Sequence, residues 1–178
     1  MDLYQLLPLL DGWRRDSREL TNIKVSNGEE RELTRATDSG WIISGGIQFV
    51  GNPMSVFTIY YHDKTGEEHT ITGSPVGLKQ LGLVGATILH GATLTKADDA
   101  NLRYGMVMSP PRPIPFYASK DYPIRFTVKA VNSDVLVEWF GYEIILIIDK
   151  EKFIRSLRKI LGIDWLIPLR GEVSAVRP

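Results

Sequence analysis

Ile124-Arg125-Phe126-Thr127-Val128-Lys129-Ala130-Val131 decides the fold class. Ile124, Phe126, Val128 and Ala130 share one parity, and Arg125, Thr127 and Lys129 the other. Successive side chains of a strand project to opposite sides of a sheet, so this period of two marks a strand with one buried face. Short segments of the same kind, separated by turn residues, run from Ile23 to Ile148. The expectation is an all-β antiparallel sandwich over residues 23–148. An N-terminal arm or short helix over 1–22 precedes it, and an amphipathic helix with an apolar tail over 149–178 follows.

Towards the C-terminus, Asn132-Ser133-Asp134 reads as a turn pairing this strand with the longest one, Val135 to Ile148. Val135, Val137 and Trp139 lie opposite Glu138 in parity, whereas Glu143 has the other parity, so a one-residue bulge at Gly141 is expected. Ile144 to Ile148 is wholly apolar and needs cover on both faces. Asp149 reads as the N-cap of a helix whose stripe is Phe153, Ile154, Leu157, Ile160 and Leu161, ended by Gly162.

Towards the N-terminus, the four prolines between Ser109 and Pro115 remove ladder donors and make a rigid extended connection. Ser74-Pro75 opens a helical turn through Leu78 and Leu81. Met54 to Tyr61 and Glu67 to Thr72 read as strands joined at Asp63-Lys64-Thr65-Gly66, and Val84 to Leu94 alternates with small residues. Trp41, Ile43, Ile47 and Phe49 share a parity, with Gly45-Gly46 marking a bend or bulge. Ile23 to Val25 and Arg31 to Thr37 read as a hairpin around Asn27-Gly28. The expected core includes Trp41, Ile43, Phe49, Phe57, Ile59, Ile124, Phe126, Val128 and Trp139.

Composition narrows the chemistry. The chain has 178 residues, enough for one sizeable core, with 43% apolar and 24% charged residues. Lys+Arg and Asp+Glu are both 21, so there is no overall basic excess and nucleic acid is not an expected partner. The absence of cysteine excludes disulfides, thiolate nucleophiles and cysteine-based zinc sites. Asp2 with no preceding basic flank, and Pro8 within the apolar run, argue against a signal peptide. No stretch approaches the ~20 apolar residues that a membrane-spanning helix needs.

Candidate chemistry is sparse. His62 and His69 flank the turn at Asp63 to Gly66, but this is ordinary for a hairpin tip, and neither the cupin spacing nor any other strong metal pattern is present. His90 shares parity with Val84, Ala86, Ile88 and Ala92, which suits a hydrogen-bonded core histidine better than a catalytic base. Glu29-Glu30-Glu32, Glu67-Glu68 and Asp98-Asp99 sit at expected turns, where solvated carboxylates are the default. The glycines at 40, 45, 46, 82 and 85 form no phosphate-cradling loop. Tyr60, Tyr61, Tyr104, Tyr117, Tyr122, Trp139 and Tyr142 are candidates for a sugar-stacking platform. No catalytic residue, cofactor site or metal site is expected.

With about eight strands, a Pro-rich crossover and apolar ends, the chain resembles a jelly-roll sandwich. The segment Pro111-Arg112-Pro113-Ile114-Pro115-Phe116, followed by a charged turn and an alternating strand, resembles the single jelly-roll structural proteins of viruses and phages. That resemblance implies a non-enzymatic subunit of a virion or similar particle, made in the cytoplasm and bound to copies of itself or to other structural subunits. Its expected interfaces are Leu3, Leu6, Leu7 and Leu10 at one end and Trp165, Leu166, Ile167 and Leu169 at the other. A carbohydrate-binding sandwich instead predicts exposed aromatics on a concave sheet. A cupin-like hydrolase or isomerase predicts a deep pocket holding His90 or a metal.

Overall fold

The computed structural model describes residues 3–80, 92–110 and 112–162. These divide into two compact units, one over residues 15–146 and one built from the two ends, 1–14 and 147–178.

The strands are β1 (Trp13–Leu20), β2 (Ile23–Val25), β3 (Glu30–Ala36), β4 (Gly40–Val50), β5 (Val56–His62) and β6 (Glu68–Gly73). They continue as β7 (Ala92–Asp98), β8 (Arg103–Met108), β9 (Ile114–Phe116), β10 (Ile124–Lys129) and β11 (Val135–Ile147). Helices are α1 (Leu3–Leu6), α2 (Pro75–Gln80) and α3 (Lys150–Leu161). The protein is thus an all-β sandwich of two antiparallel sheets. The larger runs β1-β11-β4-β8-β7, with β2 also on β11 and β9 on β4; the smaller runs β3-β10-β5-β6.

Several expected elements form as read. β5 and β6 pair as a hairpin from Phe57↔Gly73 to His62↔Glu68. Ser74 caps α2 by accepting the Gly77 amide at 3.2 Å. Asp149 caps α3 by accepting the Lys152 amide, and Gly162 ends it with φ 66. Three differences concern pairing. Residues 13–20, expected as arm, form a strand. β2 and β3 are not a hairpin, since β2 joins β11 and β3 joins β10 in the other sheet. β10 and β11 likewise lie in different sheets. β10 and β11 each bury apolar side chains, and lying in different sheets lets them meet in one core.

That core holds Phe57, Ile59, Ile124, Phe126, Val128, Val137 and Phe140, all 0% exposed. It excludes three residues expected within it. Trp139 is 37% exposed, and Trp41 and Ile43 are only half-buried, while Ile42 is fully buried. The register explains the correction. The ladder between β4 and β11 is irregular between Val137 and Trp139, which leaves Glu138 as the extra residue, and again between Glu143 and Ile144, where Ile43 is extra. Glu138 and not Gly141 is therefore the bulge, and counting parity straight through it turns Trp139 to the wrong face.

On the small-helix side, Tyr104 is 1% exposed and donates its hydroxyl to Asp99 at 2.9 Å, while Lys79 of α2 reaches the same carboxylate at 2.6 Å. Burial first, then the Asp99 hydrogen bond, pushes the Tyr104 phenol up to about 12. A phenol raised in the folded state adds stability that is complete below the ordinary value of about 10 and is lost as pH rises through the folded one. Urea titrations at stepped pH should show the native protein losing stability between about pH 10 and 12 faster than Tyr104→Phe. Parallel curves would show that Tyr104 titrates normally.

Candidate functional site

Two surfaces stand out, one on each unit. The terminal unit is built on Asp11-Gly12. The Gly12 carbonyl accepts the amides of Ile148 and Asp149 at 2.9 and 3.0 Å, and the Asp11 amide donates to Ser156 Oγ at 3.0 Å. Trp13 Nε1 donates to the carbonyls of Leu7 and Leu10, both at 2.8 Å, which closes the turn around Pro8. The N-terminal segment is thereby fastened to the first turns of α3, and Leu7, Leu10 and Phe153 are buried.

Among the described residues of the terminal unit, four large apolar side chains stay in solvent. Leu9 is 58% exposed, Ile148 52%, Ile154 39% and Leu161 57%. A groove of about 770 Å³ has Leu9 and Asp11 on one wall and Lys152, Arg155, Lys159 and Ile160 on the other. The Asp149 carboxyl is lowered from its ordinary value, chiefly because it accepts the Lys152 amide. Among the expected interface residues, Leu7 and Leu10 are covered by this chain itself and Leu6 is half-buried. The Leu3 side chain and Trp165, Leu166, Ile167 and Leu169 lie outside the described residues. Leu9, absent from that set, is the exposed one. Residues Leu7–Leu9 form a 3-10 turn, which rotates the apolar face away from helical spacing; Pro8 was the available signal.

The second surface is the outer face of the larger sheet. Gly46 and Gly141 are directly paired across β4 and β11. A β-carbon on Gly141 would lie 2.5 Å from the Trp139 ring, and one on Gly46 would lie 3.1 Å from it. The indole therefore covers the space that two side chains would otherwise fill. Around it runs a trough of about 520 Å³, lined among others by Ser17, Glu19, Ser44, Val107 and Glu143. Arg15 Nε donates to Glu143 at 2.7 Å. Beyond the tryptophan, Glu138 accepts from Gln48 and Arg103, each at 2.7 Å, and these bonds hold its carboxyl below the ordinary range.

The other sequence candidates resolve into local structure. Asp63, Glu67 and His69 bring ligand atoms within 4.8 Å of one another. Yet Asp63 Oδ1 already accepts the Thr65 hydroxyl at 2.6 Å and the amides of Thr65 and Glu67 at 2.7 and 3.2 Å. These bonds, with the Thr65 hydroxyl foremost, drive the Asp63 carboxyl far down and account for a tight turn. His62 is buried under Tyr122, with ring centroids 5.2 Å apart and Glu68 at 3.8 Å from Nε2. His90 lies outside the described residues. Glu30 accepts from Tyr60 and Thr127, Glu32 pairs with Arg35, and Asp98 accepts from Asn101. The seven aromatics form no single row: Tyr104 and Tyr142 are buried, whereas Tyr117 and Tyr122 are exposed on a loop away from Trp139.

No family model and no curated protein matches this chain. Among the described residues no helix is long and apolar enough to cross a membrane. Function rests on what these two surfaces can do.

Proposed function

We propose that this protein is a non-enzymatic structural subunit of a virion or similar multi-protein particle, joined to further copies of itself through the terminal unit. The observation carrying this reading is that the terminal unit, whose helix α3 is rich in cations, leaves Leu9, Ile148, Ile154 and Leu161 each between 39% and 58% exposed. Solvated large apolar side chains gathered on one small unit favour a partner surface. Charge favours a second copy as that partner. Residues 1–14 and 147–178 carry eight Lys/Arg against six Asp/Glu, and residues 15–146 carry thirteen against fifteen. A basic end meeting an acidic sandwich makes a head-to-tail contact, which propagates into rings or larger assemblies.

The sheet orders support a jelly-roll reading of the sandwich. β2 with β11, β3 with β10, β4 with β8, and β5 with β6 are nested pairs, and successive pairs alternate between the two sheets. Jelly rolls of this kind serve in capsids and in lectins, where surfaces and not buried chemistry carry the role.

The double variant Leu9→Glu/Leu161→Glu tests the interface, because both side chains are exposed and each replacement alone shifts stability by about 0.5 kcal/mol or less. Size-exclusion chromatography with light scattering should show the native chain as an assembly and the variant as a folded monomer. A variant that assembles as the native chain does removes this surface from the interface.

A further inference from the structure

We propose that the trough beside Trp139 is a binding site for a neutral oligosaccharide, a role separate from assembly and independent of the terminal unit. Gly46 and Gly141 face each other on the outer side of the sheet, so the floor there is bare backbone. The Trp139 ring lies over both of them, within 2.5–3.5 Å of where their β-carbons would stand. The six-membered ring of the indole thus fills the space above the glycines. Trp139 is nevertheless 37% exposed, so part of the indole stays open to solvent. The bulge at Glu138 is what turns the ring to this side of the sheet. A bulge that presents a large aromatic ring to solvent works against core packing, and bulges are frequent where a side chain is re-aimed for function.

The walls match the chemistry of a sugar. The face of an indole carries the negative part of its quadrupole and attracts the weakly positive C–H face of a pyranose ring. Hydroxyls at the rim of that ring need donors and acceptors in the sheet plane. Ser17 and Ser44 supply hydroxyls that make no hydrogen bond among the described residues, and Glu19 and Glu143 supply acceptors. Glu143 is held in place by Arg15 at 2.7 Å, so the carboxylate is oriented before any ligand arrives. The charges of Arg15 and Arg18 balance those of Glu19 and Glu143, which favours a neutral ligand over an anion or a cation. A trough of about 520 Å³ falls within the usual range for small-molecule sites, and its open form suits a chain of sugars lying across the sheet better than a single enclosed one.

The test is calorimetric titration of the full chain with maltotriose, cellotriose, mannotriose and chitotriose. At least one should bind with a dissociation constant of about 1 mM or tighter. Trp139→Ala should weaken that binding at least tenfold. Ser17→Arg, at an exposed position, should block the trough without touching the ring or the fold, and so keeps the test valid if the tryptophan variant folds poorly. Failure of all four sugars to bind overturns the proposal. So does binding that survives Ser17→Arg unchanged, since the sugar would then sit elsewhere.

Discussion

Phe126→Ala is expected to lower the unfolding free energy by about 3–5 kcal/mol. The side chain is 0% exposed and stands at the centre of an aromatic group, with ring centroids 5.9 Å from Phe140 and 5.1 Å from Tyr142. It also packs where Gly45 lacks a side chain, since a β-carbon there would be 3.3 Å from the Phe126 ring. Strands from both sheets surround the site, so their backbones cannot close around the lost volume and a cavity remains. Urea unfolding followed by circular dichroism should show the midpoint shift with little change in slope. A loss below about 1 kcal/mol would mean that the two sheets do not share this core.

Gly12→Ala is expected to release the N-terminal segment from α3 while the sandwich stays folded. Gly12 has φ +75, and an alanine there would place its β-carbon 2.3 Å from the Asp149 carbonyl oxygen and 2.9 Å from the Phe153 nitrogen. Both obstacles are backbone atoms held by helix capping, so neither can swing aside. The left-handed conformation alone costs a residue with a side chain about 1–2 kcal/mol, before the clash is counted. Amide hydrogen exchange should then quicken by about tenfold or more over residues 3–12, with β5 and β10 unaffected. Because Leu9 is carried on that segment, the same variant should also assemble poorly. Unchanged exchange over residues 3–12 would show that the segment is held by something other than the Gly12 contact.

These two sites also mark what the sequence could and could not convey. Phe126 was legible because β10 alternates cleanly, and the parity of neighbouring residues states which face is buried without reference to any partner. The caps of α3 were legible for the same reason, since Asp149 and Gly162 act within one turn of the helix. Partnership was not legible. β2 and β3, and again β10 and β11, are close in sequence and end in different sheets, a choice set by which long strand offers a matching edge. The functional surfaces suffered most from this. Trp139 read as core only because the bulge at Glu138 depends on β4, and its pairing with the Gly46–Gly141 trough exists only once the register is set. Leu9 was hidden by the turn at Pro8, where helical spacing does not apply.

The measurement that bears most directly on the proposed role is the mass of the native full-length chain in solution, by sedimentation velocity across a wide range of concentration. The expected result is a stable assembly whose mass is a multiple of the 20.0 kDa chain and persists on dilution, as an obligate interface of roughly 2,000 Å² or more requires. A compact monomer at every concentration, with Leu9, Ile154 and Leu161 solvated, would contradict it.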